Sequence, residues 1–138
     1  MIVVDASVAV QWVVPEASTP LSDMLLNRVD LAAPELLLVE VANVFRKKLA
    51  GGLISAAQGV DGLEYVLQRV DVRPMSNALL VRSFELALLL NHPVYDCVYL
   101  ALAEANDAKF ATHDLELRRR VVRSGRGDCL YDFAGAIP

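Results

Sequence analysis

The sequence predicts an α/β fold in which helices cover both faces of a central parallel sheet. Short apolar segments rich in β-branched residues alternate with helical segments of roughly 10 to 15 residues, which is the pattern of strand–helix–strand crossover units. The first of these segments, Ile2–Val4, has no polar alternation, as is typical of a strand covered on both faces. The 138 residues contain no internal repeat or low-complexity tract, so we expect a single domain over residues 1–138.

The first half of the chain predicts two strands and three helices. The first strand, over 2–4, stops at Asp5, and Ser7 is placed to cap a helix that continues to about Val14. Helical spacing of apolar residues, with breaks at Pro and Gly, predicts a helix over 20–28, a strand over 29–33 and a helix over 35–49.

The second half continues the same alternation. Ser55 and Gln58 have the spacing of a capping box, which predicts a helix that reaches about Val70. The remaining elements are a strand over 70–75, helices over 76–91, 95–106 and 114–123, a strand over 109–112 and a candidate last strand over 129–131.

The apolar residues predict both a core and an interface. The residues that we expect to be buried in the sheet are Ile2, Val3, Val4, Val72, Phe110 and Ala111. The helix over 76–91 has no clean polar face, because it contains the close set Leu86, Leu88, Leu89 and Leu90. We therefore expect part of this helix to be buried between the subunits of a homodimer.

Composition excludes several classes of protein. With 55% hydrophobic residues, 7 Gly and 6 Pro, the chain is neither disordered nor collagen-like. No apolar stretch reaches the roughly 18 residues of a membrane span, and the start lacks the features of a secretory signal. We therefore expect a cytoplasmic protein with no membrane association. Cys97 and Cys129 lack the spacing of a zinc site and are expected to be free thiols.

The charge is distributed unevenly. The formal net charge of −4 argues against a protein that binds nucleic acid mainly through its overall charge. Between Lys109 and Arg126, however, six basic and two acidic side chains give +4, which leaves −8 for the rest of the chain. This basic segment is a candidate phosphate-binding surface, although a basic helix is also typical of a solvated face.

Two acidic residues follow predicted strands. Asp5 comes directly after the first strand and Asp114 shortly after the strand over 109–112, and ligands of such sheets bind at the carboxyl ends of the strands. Each also has a structural interpretation as a helix cap, for which Ser7 and Thr112 are alternatives. His113 is either a ligand or acid/base group, or a solvated neighbour.

Two other acidic residues lie on apolar helix faces. Glu40 shares a face with Leu37 and Val44, where an unpaired charge costs several kcal/mol, unless it forms a salt bridge with Lys47 or Lys48. Asp96 is the only charge at the apolar start of its helix, where the helix dipole offers a structural reason for a carboxylate.

The four acids together indicate a metal site. Carboxylates that converge on one patch repel each other unless a divalent cation neutralises them, and oxygen ligands without clustered His or Cys favour Mg²⁺ or Mn²⁺ over Zn²⁺. Acids that hold such a metal are used for phosphodiester hydrolysis, because the cation lowers the pKa of a bound water. Nearby arginines can then hold the phosphate backbone.

The chain resembles PIN-domain ribonucleases of the VapC toxin type over nearly its whole length. The resemblance rests on four segments in this order: residues 2–9 (IVVDASVA), 38–44 (LVEVANV), 95–103 (YDCVYLALA) and 112–114 (THD). It implies a three-layer α/β/α sandwich, metal-dependent cleavage of RNA, neutralisation by a small antitoxin protein, and a homodimer.

The resemblance also implies roles for individual residues. The metal ligands and catalytic residues would be Asp5, Glu40, Asp96 and Asp114. Ser7 and Thr112 match hydroxyl positions that support the acids, whereas His113 occupies a variable position. The surface that we expect to face RNA consists of Arg118, Arg119, Arg120 and Arg123.

Other functions fit the sequence less well. A receiver domain needs paired acids after the first strand, and an aspartyl phosphatase needs a second Asp where this chain has Ser7. A PIN nuclease of RNA maturation and a non-catalytic PIN-fold binding module remain as alternatives. A small antitoxin reading frame just upstream would distinguish a toxin from both.

Overall fold

A four-stranded parallel sheet lies at the centre of the computed structural model, which describes residues 1–28 and 30–133. The strands are β1 (Ile2–Val4), β2 (Leu31–Pro34), β3 (Asp71–Arg73) and β4 (Lys109–Ala111), and their order is β3-β2-β1-β4. Every pairing between these strands is parallel, so all four end at the same edge of the sheet. The predicted α/β fold with a parallel sheet is confirmed.

Helices flank the sheet. They are α1 (Ala6–Ala9), α2 (Thr19–Asp23), α3 (Leu36–Ala50), α4 (Ala56–Arg69), α5 (Asn77–Leu90), α6 (Val94–Ala105) and α7 (Leu115–Arg123). Helix α6 packs across β1, β2 and β4 and carries α5 on it, whereas α3 contacts α1, α4 and β2. Because α6 lies between the sheet and α5, its residues from Cys97 to Ala103 are all buried.

The core follows the predicted strands with one exception. Val3 and Val4 in β1, and Phe110 and Ala111 in β4, are completely buried. The prediction that Val72 is buried is wrong, since this residue is only half-buried. Strand β3 lies at the edge of the sheet and has β2 as its only strand partner among the described residues, so one of its sides is less covered.

Several local elements differ from the predictions. Asp5, not Ser7, is the N-cap of α1, and the predicted long first helix is the short α1 followed by a 3₁₀ turn over Val10–Trp12. The predicted helix over 20–28 is only the five residues of α2, with Pro20 in its first turn. Val29, the first residue of the predicted second strand, lies outside the described residues. The candidate last strand is reduced to a single parallel bridge between Phe110 and Leu130.

Cysteine and membrane expectations can be compared with the structure directly. Cys97 and Cys129 are both free thiols, as predicted. Within the described residues, no single helix has both the length and the apolar composition to cross a membrane. Helices α5 and α6 reach that composition only as a pair, and their axes are bent by 114°.

Candidate metal centre

The carboxyl edge of the sheet brings the four predicted acids into one region. Asp5 follows β1 directly and Asp114 follows β4 after a two-residue connection. Asp96 lies in the first turn of α6, and Glu40 lies in the second turn of α3, which begins just after β2. This convergence results from the parallel topology, because the connection from each strand to the following helix lies at this edge.

Asp5 is the most buried of these acids. Its side chain is almost sealed from solvent, with the residue only 6% exposed. Its Oδ1 accepts hydrogen bonds from the Ser7 hydroxyl at 2.5 Å and from the backbone N–H of Val8 at 3.3 Å. Burial nevertheless dominates and raises the pKa of Asp5 to about 7, and the negative charge of Asp96 adds to this rise. Near neutral pH, Asp5 can therefore either keep its proton or lose it and bind a cation.

Two hydroxyl groups tie the ends of β1 and β4 together. The Ser7 hydroxyl accepts a hydrogen bond from the backbone N–H of His113 at 2.9 Å and lies 3.4 Å from the hydroxyl of Thr112. The Thr112 hydroxyl accepts from the N–H of Asp114 at 3.1 Å. Asp114 in turn caps α7, because its Oδ1 accepts from the N–H of Leu117 at 3.1 Å. Ser7 and Thr112 thus fix the backbone from which Asp5 and Asp114 project.

Glu40 is held by a tyrosine and not by a lysine. The hydroxyl of Tyr99, which is buried on α6, donates a hydrogen bond to Oε1 of Glu40. Neither Lys47 nor Lys48 forms a salt bridge with Glu40 among the described residues, and Lys48 pairs with Glu16 at 3.1 Å instead. Burial raises the pKa of Glu40, the charge of Asp96 raises it further, and the Tyr99 hydrogen bond opposes both. Tyr99 therefore orients the carboxylate without supplying a positive charge.

Asp96 and Asp114 come together with a residue that sequence reasoning missed. One ligand atom from each of His92, Asp96 and Asp114 lies within 4.8 Å of the others, and His92 Nε2 is 2.6 Å from Asp96 Oδ2. The predicted acids are therefore joined by a histidine nitrogen that the sequence analysis did not include. The available signal was the spacing, because a His four residues before an Asp at a helix start can face it across one turn.

The donor set fits a hard divalent cation. None of the four acids forms an ion pair with Lys or Arg among the described residues, and burial raises the pKa of both Asp5 and Glu40. Uncompensated carboxylates at one edge need either protons or a cation, and carboxylate oxygens match the preferences of Mg²⁺ and Mn²⁺.

The basic helix α7 presents only some of its predicted RNA-facing arginines. The expectation for Arg118 is wrong, because this residue is 2% exposed and donates to the backbone carbonyls of Thr112 and Tyr131 at 3.0 and 3.2 Å. Arg120 donates to the carbonyl of Asn91 and pairs with Glu116. Arg119 and Arg123 are exposed.

The ring of His113 contacts Ser22 and Phe133. Its Nε2 is 2.7 Å from the Ser22 hydroxyl, and the ring stacks on Phe133 with a centroid distance of 4.7 Å. Burial lowers the pKa of His113, which favours the neutral ring. The structure thus gives the His113 ring a packing role against Ser22 and Phe133.

Comparison with known proteins identifies the family. Residues 2–122 match the PIN domain, and the chain belongs to the PIN domain family, whose members are generally nucleases. No curated protein is similar enough in sequence to count as a match.

Solved structures agree with this fold. PAE2754 from Pyrobaculum aerophilum is similar with a TM-score of 0.69 and 23% identity, over 90% of this chain and 88% of that one. VapC20 from Mycobacterium tuberculosis, a toxin that cleaves the sarcin–ricin loop, gives a TM-score of 0.63 at 15% identity over 78% and 84% of the two chains. VapBC2 from Rickettsia felis, solved with a DNA fragment from its promoter, gives 0.64 at 18% identity over 86% and 92%. At these identities the similarity shows the fold alone.

Proposed function

We propose that this protein is a metal-dependent endoribonuclease and the toxin of a toxin–antitoxin pair, built as one domain over residues 1–138 and active in the cytoplasm. The observation that supports this most strongly is the convergence of acids from separate elements at the carboxyl edge, with no Lys or Arg ion pair to any of them in the described part of the chain. Membership of the PIN family supports a nuclease.

In this proposal Asp5, Glu40, Asp96 and Asp114 hold Mg²⁺ or Mn²⁺. When bound, such a cation lowers the pKa of water and neutralises charge on the scissile phosphate. The Ser7 and Tyr99 hydroxyls keep Asp5 and Glu40 oriented, because each donates a hydrogen bond to one carboxylate oxygen. The protein therefore supplies carboxylate oxygens that are already positioned for a cation. Their mutual repulsion destabilises the folded protein when no cation is bound.

The RNA backbone would bind along the exposed side of α7. Asp114 caps this helix, and Arg119 and Arg123 are its exposed arginines, one turn apart. Arginine forks match phosphate geometry, so these side chains can position RNA beside the acids without reading its sequence. Replacing both with Ala should weaken RNA binding uniformly and reduce its dependence on salt.

The toxin role rests on the solved relatives. The similar structures include VapC20, which is a toxin, and two VapBC structures, VapBC2 and VapBC-1 from Haemophilus influenzae. A small antitoxin protein is therefore the proposed partner. Expression of this chain alone should arrest growth of its host, and co-expression of the product of a small upstream reading frame should relieve the arrest.

A homodimer is proposed from the exposed face of α5. Leu86 and Leu90 are buried in the core, but Leu88 and Leu89 are 67% and 56% exposed. Val81 and Phe84 extend the same helix surface and are 59% and 56% exposed. Burial of this apolar strip between two copies would remove it from water. Light scattering should show a dimer, and Phe84→Glu should shift it toward a monomer.

Cleavage of RNA by the purified protein tests the enzyme directly. The wild type should cut RNA internally with Mg²⁺ or Mn²⁺ and not with EDTA, and Asp5→Asn should be inactive. Asp61→Asn, an exposed acid on α4, is the matched control and should cut like the wild type. Undiminished cleavage in EDTA, or full activity of Asp5→Asn, would contradict the proposal. Absence of cleavage by a folded wild type in either metal would favour a binding module.

A further inference from the structure

The turn between α5 and α6 holds a histidine that none of the roles above uses. His92 follows Asn91, whose φ of +49° is the left-handed conformation that ends α5, and precedes Pro93, whose ring fixes its own backbone. The N–H of His92 donates to the carbonyl of Ala87 at 3.1 Å. This short, constrained turn leaves the His92 backbone little freedom.

The His92 side chain is buried and points at Asp96. It is only 6% exposed, and its Nε2 lies 2.6 Å from Asp96 Oδ2, one helical turn further along. Its Nδ1 is also buried and has no hydrogen-bond partner among the described residues. A buried N–H without an acceptor is costly, so a single ring proton is favoured on Nε2, where Asp96 accepts it.

The position of this proton decides whether the His92 ring can be a metal ligand or a hydrogen-bond donor to Asp96. If Nε2 bound a cation directly, the ring proton would move to Nδ1, which is buried without an acceptor. If Nε2–H donates to Asp96 Oδ2, the carboxylate is fixed in one orientation and its Oδ1 remains available. The geometry therefore favours a donor that orients a ligand over a ligand itself.

The same turn is joined to the helix that Asp114 caps. The guanidinium of Arg120, on α7, donates to the carbonyl of Asn91, next to His92. One ligand atom each from His92, Asp96 and Asp114 lies within 4.8 Å of the others. Fixing Asp96 through His92 thus also fixes its position relative to Asp114.

We propose that His92 is a positioning residue, whose Nε2–H holds Asp96 in the orientation in which its other oxygen faces Asp114 and a divalent cation. This inference rests on the proposed function, because it takes Asp96 and Asp114 as cation ligands. Groups that orient metal-binding side chains typically change metal affinity by about 10- to 100-fold when they are lost.

The experiment compares three replacements of His92 by Mn²⁺ affinity, measured by electron paramagnetic resonance titration without RNA. A Gln amide nitrogen reaches the place of Nε2, an Asn amide reaches only the place of Nδ1, and Leu donates nothing. We expect His92→Gln to bind Mn²⁺ within about 3-fold of wild type, and His92→Asn and His92→Leu to bind about 10- to 100-fold more weakly. His113→Gln, which changes the other histidine in the chain, should bind like wild type.

Melting temperatures in EDTA separate positioning from folding. A merely structural role would lower the melting temperature of all three His92 variants and would not spare Gln. Equal Mn²⁺ affinity in wild type, His92→Asn and His92→Leu would overturn the proposal. So would a nitrogen coupling typical of bound imidazole in the spin-echo spectrum of the wild type, because it would make His92 a ligand.

Asp96→Asn distinguishes this inference from the proposed function. If Asp96→Asn loses Mn²⁺ binding while His92→Leu keeps it, only the positioning role fails. If Asp96→Asn binds Mn²⁺ like wild type, the metal centre itself fails, and the role of His92 fails with it.

Discussion

The two halves of the carboxylate site are built differently. Asp5 and Glu40 are held by hydroxyl groups, and burial raises the pKa of each. Asp96 and Asp114 lie at helix starts, and the side chain of Asp96 is 31% exposed. The first pair is therefore oriented by side-chain hydroxyl groups, and the second pair lies at the N-termini of the longer helices α6 and α7.

The two pairs of acids therefore differ in how easily they ionise. A buried carboxylate is precisely oriented but is costly to ionise, whereas a carboxylate at a helix N-terminus is stabilised by the dipole of that helix. Asp96 links the halves, since its charge raises the pKa of both Asp5 and Glu40. Removing charge from one half should therefore change the other.

The largest effect is expected for Asp96→Asn. Loss of this shared carboxylate should reduce the rate of RNA cleavage by about 1000-fold, since ligands of a catalytic cation contribute several kcal/mol. It should also lower the pKa of Asp5, because the neighbouring negative charge is gone. Single-turnover cleavage and carbon-detected NMR titration of the carboxyls measure the two effects. An unchanged Asp5 titration would show that the halves are independent.

The pH dependence of stability isolates the buried half. The pKa of Asp5 is about 7 in the folded protein against an ordinary value of 3.8, so the folded state holds this proton more tightly than the unfolded chain does. The resulting stabilisation is complete below pH 3.8 and is lost as the pH rises through about 7. Without metal, we expect the free energy of unfolding to fall by a few kcal/mol over this range.

Asp5→Asn should remove that part of the pH dependence. Its melting temperature in EDTA at neutral pH should equal or exceed that of the wild type, because a buried charge has been replaced by a neutral acceptor. Denaturant unfolding in EDTA at a series of pH values gives the slope of the free energy of unfolding against pH for the variant and the wild type. The same slope in the variant and the wild type would count against a raised pKa at Asp5.

Replacing a buried arginine of α7 should reduce the free energy of unfolding more than replacing an exposed one. Arg118→Leu removes two hydrogen bonds to the carbonyls of Thr112 and Tyr131 and should reduce the free energy of unfolding by about 2 kcal/mol. Arg119→Ala changes an exposed side chain and should cost less than about 0.5 kcal/mol while weakening RNA binding. Equal stability of the two variants would contradict a structural role for Arg118.

A moderate effect on metal binding is expected for Tyr99→Phe. The variant keeps the buried ring but no longer donates to Glu40, so the pKa of Glu40 should rise further and Mn²⁺ affinity should fall about 10-fold. Calorimetric titration with Mn²⁺ measures this loss, and Tyr131→Phe is the matched control. Unchanged affinity would mean that Glu40 needs no orientation.

Much of this arrangement can be read from the sequence because it depends on chain direction. Apolar strands that each end before an acid place those acids at one edge of a parallel sheet, which holds for Asp5 and Asp114 here. The apolar face around Glu40 and the apolar start of α6 likewise indicate functional acids.

Most of the missed features depend on contacts between distant segments. Tyr99 on α6 meets Glu40 on α3 only in the folded chain. The contact between His92 and Asp96 is local, and the spacing of four residues was its only signal in the sequence. The sequence predicts Arg118 as a surface residue, because it does not show that the segment around Tyr131 covers this side chain. The sequence predicts Val72 as a core residue, because it does not reveal that β3 lies at the edge of the sheet.

Anomalous diffraction from a crystal grown with Mn²⁺ would locate the cation itself. We expect a Mn²⁺ peak at the carboxyl edge of the sheet, in contact with carboxylate oxygens of Asp96 and Asp114, and its loss in Asp96→Asn. A fully occupied Mn²⁺ bound elsewhere, with these carboxylates paired to protein groups, would contradict this expectation.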